Sequence, residues 1–359
     1  RPAVYVARNK DSQSVTQGQI NLDAWMSEIR ANVDELLGAF FESKLREADE
    51  LSPLASELVT EVRDLTMRGG KRLRPIVVAA AYRAVNGPGS VRATFEVGAA
   101  LELLQTYLLI HDDWMDEDDE RRGGPAVHFV FRQRHGNPHL GASLGVLAGD
   151  LASTFSWELF WSSEFPEQRR DDALASYVRI QKEVFAGQQL DLMAADDVER
   201  MLDLKTGRYT TRGPAELGGI GAGGGERAMQ SLRDWSSPLG IAFQLRDDLL
   251  STFGTAQQTG KPGDDLRHGK NNAVVAAFHR LGSTEAGRAA LAEVWGRPEA
   301  TDEQVEHAAA ALSEARRDVE RRLEFLVDEA RSAIAASAFD GDAKAMLEEV
   351  TSRLTDRGH

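Results

Sequence analysis

The fold class is decided by residues 22–45, which read LDAWMSEIRANVDELLGAFFESKL. Apolar side chains recur there at steps of three and four residues, the spacing of one face of an amphipathic helix. The same period continues through residues 74–85, 94–115, 139–160, 171–192, 227–250, 303–334 and 342–354. Glycine- and proline-rich breaks separate these stretches, and the alternation typical of strands is hard to find. We therefore expect one all-α domain of many long helices over residues 21–359, preceded by a mobile tail at residues 1–20.

The composition of the chain excludes several classes of protein. Its 359 residues carry 42 Lys and Arg against 57 Asp and Glu, a net charge of −15, so its overall field disfavours nucleic acid and anionic lipid. Because cysteine is absent, disulfides, thiolate metal sites and cysteine nucleophiles are excluded. The most apolar stretch, residues 93–110, contains Glu96, Glu102 and Gln105, which argues against a membrane span. The resulting expectation is a cytoplasmic protein without a membrane span.

The first chemical signal is the acidic cluster DDWMD at residues 112–116. On a helix, Asp112 and Asp116 share a face and Asp113 lies about 100° around from Asp112. A divalent cation would relieve the repulsion among three carboxylates beside an apolar run, and oxygen ligands without Cys suit Mg²⁺. The alternative is an acidic helix end that faces water, the usual position of a charge run.

A second acidic pair, Asp247 and Asp248, follows another apolar helical run. The helix dipole disfavours carboxylates in the C-terminal half of a helix, so a cation would again compensate. The alternative is a surface pair balanced by Arg246. Two such groups on separate helices suggest facing carboxylates with metal ions between them.

Basic residues cluster at the glycine-containing breaks between helices. Residues 69–75, GGKRLRP, place three cations at a helix start, where backbone N–H groups can also bind an anion. Such clusters in an acidic chain favour diphosphate binding, and the absence of a P-loop pattern disfavours a nucleotide kinase of that type. Further cations near such breaks are Arg121, Arg122, Lys205, Lys261 and Lys270.

Taken in order, these motifs resemble those of the trans-isoprenyl diphosphate synthases, the polyprenyl synthetase family. The matching segments are GGKRLRP at residues 69–75, DDxxD at 112–116, Arg121-Arg122, GQQLDL at 187–192, Lys205-Thr206 and FQLRDD at 243–248. The resemblance, closest to short-chain members, implies the isoprenoid synthase fold, a helical bundle around a central cavity, and a homodimer. It also implies Mg²⁺-dependent head-to-tail condensation of isopentenyl diphosphate with an allylic diphosphate.

The resemblance also assigns roles to individual residues. The ligands of three Mg²⁺ ions would be Asp112, Asp113, Asp116, Asp247 and Asp248. The allylic diphosphate site would be completed by Arg121, Lys205, Lys261 and Lys270. The isopentenyl diphosphate site would contain Gly70, Lys71, Arg74, Gln105 and Arg122. Thr206 and Gln244 would line the forming carbocation with oxygen dipoles, so that the expected catalytic residues are Asp112, Asp113, Lys205, Thr206 and Gln244.

In this family the residues four and five positions before the first Asp close the tail pocket, here Leu108 and Tyr107. The aromatic ring of Tyr107, about 7.5 Å along the helix axis from Asp112, should stop elongation early. The expected product is mainly C20, geranylgeranyl diphosphate, with C15, farnesyl diphosphate, as the alternative. The other interpretation of Tyr107 is ordinary core packing.

Two residues depart from the family pattern. Ser251 stands where the second acidic motif usually ends in Asp, and Trp114 replaces an aliphatic residue. Ser251 should weaken the outer metal contact or make it water-mediated. Two other functions remain open. A class I terpene cyclase shares DDxxD, but its usual second metal motif is not found here, and a regulatory synthase subunit tends to lose the aspartates that this chain retains.

Overall fold

The computed structural model describes residues 21–87, 90–255 and 263–356. The expected N-terminal tail and Lys261 lie outside the described residues. Within them almost all regular structure is helical, as the periodicity predicted, and the only strands are one two-residue pair.

The described chain divides into two compact units. Unit 1 contains the described residues up to Arg170 together with Leu217–Gly223, and unit 2 contains Asp171–Glu216 and the described residues from Gly224 onward. The single domain expected over residues 21–359 stays a prediction.

Unit 1 is built around helix α4, whose residues 97–106 are all buried. Helices α1, α3 and α6 pack against α4, and edge-to-face contacts among Phe40, Phe41 and Phe155 fill the space between α1 and α6. Ser52 ends α1 and caps α2 through its hydroxyl. The elements are α1 (Leu22–Leu51), α2 (Pro53–Met67), α3 (Leu73–Asn86), α4 (Phe95–Met115), β1 (Glu120–Arg121), β2 (Gly124–Pro125), α5 (Val127–His135) and α6 (Pro138–Ser162), with 3₁₀ turns at Arg92–Thr94 and Glu167–Arg169.

The stretch Arg92–Met115 is the one part of the described chain that is long and apolar enough to cross a membrane by length and composition. Its most apolar window is 67% buried inside the protein. This helix is therefore the core helix of unit 1.

Unit 2 is built around helix α10, against which α15, α16 and a π-helical segment pack. Trp235 of α10 is buried and donates its indole N–H to the Thr351 hydroxyl of α16. The remaining elements are α7 (Arg170–Leu192), α8 (Val198–Leu202), the π-helical segment Asp203–Arg212, α9 (Gly213–Gly221), α10 (Glu226–Phe253), α11 (Asp264–His268), α12 (Ala273–Arg280), α13 (Glu285–Ala292), α14 (Asp302–Ala311), α15 (Ser313–Ala336) and α16 (Gly341–Thr355). They belong to unit 2, except that the first residue of α7 and the second half of α9, from Leu217, belong to unit 1.

The periodic stretches of the sequence correspond closely to the longest helices. One boundary differs: the stretch at residues 303–334 forms two helices, because the chain leaves helical geometry at the buried Leu312 between α14 and α15. Six short helices were not expected, because a helix of five to nine residues shows too few turns for a periodic pattern; they are α5, α8, α9, α11, α12 and α13. The longer α2, Pro53–Met67, was also missed.

Candidate active site

The first acidic cluster lies where α4 ends. Asp112 and Asp113 occupy the last turn of this helix. Asp116 is the C-cap, and its backbone N–H donates a hydrogen bond to the Asp112 carbonyl at 2.8 Å. Asp113 is completely buried, whereas Asp112 and Asp116 are half-buried. The carboxylates thus lie at the negative end of the helix dipole, an unfavourable position without a nearby cation.

A tight hairpin brings arginines back to this helix end. Strands β1 and β2 pair through Arg121 and Gly124, so that Arg122 and Gly123 form a two-residue turn. Both turn residues have positive φ, 54° and 69°, as a type I′ hairpin requires. Gly124 leaves room on the second strand for the guanidinium of Arg68, which a Cβ at this position would displace.

Arg121 is the cation that compensates the buried carboxylate. Its Nε donates to Asp113 Oδ1 at 2.6 Å, and its Nη2 lies 3.5 Å from Asp118 and 4.0 Å from Asp112. Burial nevertheless raises the pKa of Asp113 to about 6, against the lowering effect of Arg121. The other oxygen, Asp113 Oδ2, is buried with no hydrogen-bond partner. A helix end that simply faces water is therefore the wrong interpretation for Asp113.

The GGKRLRP segment connects α2 to α3 and packs beside Arg122. Gly69 and Gly70 have φ of 71° and 129°, conformations that favour glycine. Arg122 Nη1 donates to the carbonyls of Gly69 and Leu65 at 3.2 and 3.3 Å. Burial lowers the pKa of Arg122, and the nearby cations Arg72, Arg74 and Arg121 lower it further.

The other residues expected to bind isopentenyl diphosphate lie on the same unit. Lys71 is exposed and directly follows Gly70, Arg74 is half-buried in the first turn of α3, and Gln105 is buried on α4. Gly70 lies beside Arg122, since a Cβ on Gly70 would be 3.6 Å from Arg122 Nη1, and Arg74 is close enough to lower the pKa of Arg122.

The chain-length residues lie one to two turns before the aspartates on α4. Tyr107 and Leu108 are both half-buried. The Tyr107 ring meets His111 edge to face, with 4.8 Å between ring centroids. His111 lies against Gly149 of α6, where a Cβ would overlap its imidazole. Burial, with a smaller effect of Asp150, raises the pKa of the Tyr107 phenol.

In unit 2 the second acidic pair lies near the end of α10. Asp247 is exposed, whereas Asp248 is buried. Asp248 accepts hydrogen bonds from the Gln244 side-chain amide and the Ala273 backbone N–H, both at 2.8 Å. Burial raises the pKa of Asp248 well above its usual value, and the Asp265 carboxylate adds to the effect. The interpretation as a surface pair is therefore wrong for Asp248.

Ser251, the departure from the family pattern, is part of a hydrogen-bond network with α11. Its hydroxyl donates to Asp265 Oδ2 at 2.6 Å, and Asn272 Nδ2 donates to the same oxygen at 2.9 Å. Sequence analysis missed Asp265 and Asn272. Asp265 lies 14 residues after Ser251 and 7 residues before Asn272, and the chain reverses direction between these positions, so the contacts follow no helical spacing. The Gly263-Asp264-Asp265 turn was the available signal.

Lys205 and Thr206 lie on the π-helical segment Asp203–Arg212, a geometry often associated with functional sites. Gly187 of α7 allows this segment to approach, because a Cβ there would overlap the Lys205 backbone. Lys205 Nζ donates to Asp191 Oδ2 at 2.5 Å. The GQQLDL motif thus supplies both the contact surface and the ion-pair partner of Lys205, and Asp191 is a third residue that sequence analysis missed.

The remaining expected site residue of unit 2 is Lys270, which is half-buried and donates its backbone N–H to the Asp265 carbonyl at 2.9 Å. Among the residues that the structure describes, no three His, Asp or Glu side chains converge as a ready-made metal site.

Comparisons with known proteins now bear on this arrangement. The family model for polyprenyl synthetase matches residues 56–312. The chain belongs to the polyprenyl synthetase family. It is 30% identical to geranylfarnesyl diphosphate synthase of Aeropyrum pernix over 82% of this chain and 92% of that protein. It is also 30% identical to farnesyl diphosphate synthase of Geobacillus stearothermophilus, over 70% of this chain and 83% of the relative.

A solved structure extends the likeness to the fold. Geranylgeranyl pyrophosphate synthase from Corynebacterium glutamicum, complexed with isoprenyl diphosphate and magnesium, superposes with a TM-score of 0.85 at 28% identity. The match covers 94% of this chain and 100% of the other. The family, the all-α fold and the prenyltransferase class predicted from the sequence are confirmed.

The buried Asp113 predicts a pH-dependent stability of the metal-free protein. The folded state retains the Asp113 proton up to its pKa of about 6, whereas the usual pKa is 3.8. The free energy of unfolding should therefore fall as the pH rises between these values, by up to about 1.4 kcal/mol per pH unit. Urea unfolding in EDTA from pH 4 to 7.5 should show a shallower decline for Asp113→Asn. The exposed Asp328→Asn should follow the wild type, and identical profiles for all three proteins would contradict the prediction.

Proposed function

We propose that the chain is a Mg²⁺-dependent short-chain trans-prenyl diphosphate synthase. It would condense isopentenyl diphosphate head to tail with an allylic diphosphate and release mainly geranylgeranyl diphosphate. The observation that carries the proposal is a buried carboxylate near the C-terminal end of the central helix of each unit, Asp113 on α4 and Asp248 on α10. Burial raises the pKa of both, and a bound cation would offset that electrostatic cost.

The donor set around these carboxylates fits Mg²⁺. All candidate ligands are carboxylate oxygens, and Asp113 Oδ2 has no hydrogen-bond partner. Three ions would be held by the aspartates together with diphosphate oxygens, which supply the ligands that the side chains alone lack. When bound, Mg²⁺ neutralises the diphosphate and makes it a better leaving group. The proposed ligands are Asp112, Asp113, Asp116, Asp247 and Asp248.

Basic side chains hold the two diphosphates in this proposal. The residues that bind isopentenyl diphosphate are Gly70, Lys71, Arg74, Gln105 and Arg122. Burial lowers the pKa of Arg122, and the nearby cations, which include Arg74, lower it further. Lys205 and Lys270 bind the allylic diphosphate, together with Lys261 outside the described residues. Arg121 serves the same diphosphate beside its ion pair with Asp113.

The carbocation formed when diphosphate leaves needs dipoles rather than nucleophiles around it. Thr206 and Gln244 supply oxygen atoms that stabilise a cation without trapping it covalently. The side-chain nitrogen of Gln244 donates to Asp248. This contact leaves the side-chain oxygen of Gln244 to stabilise the cation. Holding the isopentenyl double bond close to the cation supplies the rest of the acceleration. Proton loss to the departing diphosphate requires no protein base.

A cytoplasmic location remains a prediction from the sequence.

Product analysis by mass spectrometry tests the function. Purified protein with Mg²⁺ and isopentenyl diphosphate should elongate dimethylallyl, geranyl or farnesyl diphosphate. Asp112→Asn or Asp247→Asn should lower the rate at least about 100-fold, because each removes charge next to the leaving group. The exposed Asp328→Asn on α15 is the matched control.

The alternatives give different outcomes in the same assay. Hydrocarbon released from an allylic diphosphate alone would identify a terpene cyclase. No elongation of any primer by the purified protein would refute the proposal and favour a regulatory subunit.

Tyr107 is proposed to limit product length. Tyr107→Ala removes a ring that is held against His111, so the mean product should lengthen by at least one C5 unit. Tyr107→Phe keeps the ring and should keep the product distribution, whether that is mainly C20 or mainly C15. Chain lengths from Tyr107→Ala equal to those of the wild type would show that Tyr107 is ordinary packing.

A homodimer is proposed from apolar faces on two helices. On α6, Leu140 and Leu147 are exposed at a spacing of seven residues. On α7, exposed apolar residues recur at the same spacing, at Val178, Phe185 and Leu192. A face of this kind is typical of a helix that packs against a partner.

A charge placed in the exposed apolar face of α6 should weaken the dimer. Leu147, which is 51% exposed, changed to Glu should shift the mass from light scattering towards that of the monomer, 39.3 kDa. Leu54 on α2, 71% exposed, is the control, and Leu54→Glu should leave the mass unchanged. A wild-type protein that is monomeric at micromolar concentration would contradict the proposal.

A further inference from the structure

The GGKRLRP segment contains one arginine that differs from its neighbours in burial. Arg72 is only 4% exposed, whereas Lys71 before it is exposed and Arg74 after it is half-buried. Arg72 also has a left-handed backbone, with φ of 48°. A non-glycine residue in this conformation is strained, so other contacts must hold it there.

Those contacts come from three different helices. Arg72 Nε donates to Asp34 Oδ1 of α1 at 2.8 Å, and Nη1 donates to Glu102 Oε2 of α4 at 2.8 Å. Nη2 donates to the Thr66 carbonyl in the last turn of α2 at 2.9 Å. The planar guanidinium thus ties α1, α2 and α4 to the start of α3, a geometry that lysine cannot reproduce.

The backbone of the anion-binding segment rests on this arginine. A Cβ at Gly70 would lie 3.3 Å from Arg72 Nη1 and 3.6 Å from Arg122 Nη1. The chain therefore passes directly over both guanidinium groups. Arg30 Nε of α1 fixes the next peptide by donating to the Lys71 carbonyl at 3.1 Å. A displacement of Arg72 would move Gly70, Lys71 and the first turn of α3 together.

The acidic partners give Arg72 a role other than ligand binding. Three of its five N–H donors already bind protein oxygens, and Glu102 is as buried as Arg72 itself. Burial opposes the charge of Arg72, but Glu102 and Asp34 outweigh it and raise the pKa of the guanidinium. These carboxylates keep Arg72 fixed below the segment, although each also places negative charge near an anion site.

We propose that Arg72, held by Asp34 and Glu102, is a positioning residue that orients Gly70, Lys71 and Arg74 to bind the diphosphate of isopentenyl diphosphate. This inference rests on the proposed function for the identity of the ligand. It assigns Asp34 and Glu102, which carry the wrong charge for a diphosphate, a favourable effect on diphosphate binding.

The test is whether removing Asp34 weakens or tightens the binding of the diphosphate. Asp34 is 45% exposed, so Asp34→Ala should fold. If the residue acted only through its charge, Asp34→Ala would tighten the binding of the anion. If Asp34 acts by holding Arg72, the variant should weaken the binding of isopentenyl diphosphate about tenfold. Glu35→Ala removes the same charge from the adjacent, exposed position on α1 and should change the dissociation constant by less than about twofold.

Binding is measured by calorimetry with isopentenyl diphosphate in EDTA, which removes any contribution from metal ions. Arg72→Lys keeps the charge but loses the planar fork, and should also weaken binding about tenfold. In steady state, Asp34→Ala should raise KM for isopentenyl diphosphate while kcat stays within about threefold of the wild type. Thermal unfolding checks that each variant is folded. If Arg72→Lys does not fold, Asp34→Ala alone decides the test.

The outcomes separate this inference from the proposed function. Wild-type affinity, or tighter binding, in Asp34→Ala would overturn the inference while product formation by the wild type upheld the function. A wild type that makes no product but binds isopentenyl diphosphate in an Asp34-dependent manner would refute the function and support the inference. A wild type that does not bind isopentenyl diphosphate would overturn both.

Discussion

The burial of Asp113 at the end of α4 is the constraint on which much of unit 1 depends. The apolar surface of α4 makes it the core helix, and the same packing removes water from a carboxylate at the negative end of the helix dipole. The chain compensates within eight residues, by a hairpin whose turn at Arg122-Gly123 returns Arg121 to Asp113. That turn also directs Arg122 to the carbonyl of Gly69. One electrostatic requirement thus links the acidic motif to the basic one.

Unit 2 meets the same constraint differently. Asp248 is bound by the Gln244 amide and the Ala273 N–H rather than by an arginine. Neutral donors stabilise a buried carboxylate less than a guanidinium does, and the neighbouring Asp265 opposes its ionisation. Asp113 therefore has a protein cation beside it, whereas both hydrogen-bond donors described for Asp248 are neutral. In the proposed reaction this difference makes the second acidic motif the more dependent of the two on metal ions.

Periodicity and motif spacing predicted all the long helices except α2, the family and the helices that carry both acidic groups, because each of these follows from short stretches of the chain. They did not predict which charges are buried. GGKRLRP presents Arg72 and Arg74 as similar cations, and only packing against α1, α2 and α4 distinguishes them. Glu102 interrupts an apolar run in the sequence, yet in the structure it is the partner of Arg72. The contacts of Asp191 with Lys205 and of Asp265 with Ser251 join different elements, which a linear pattern does not reveal.

Ser251 illustrates how such a contact changes the meaning of a departure from the family pattern. In the sequence, serine at this position is a lost carboxylate and hence predicts a weaker or water-mediated outer metal contact. In the structure its hydroxyl donates to Asp265 at 2.6 Å. A carboxylate at position 251 would instead face Asp265 with like charge, close to the buried Asp248, and would raise the electrostatic energy of the metal-free protein. The hydroxyl avoids that repulsion and, with Asn272, fixes the orientation of the Asp265 carboxylate. The substitution therefore removes one negative charge from the second acidic group while holding another in a defined position.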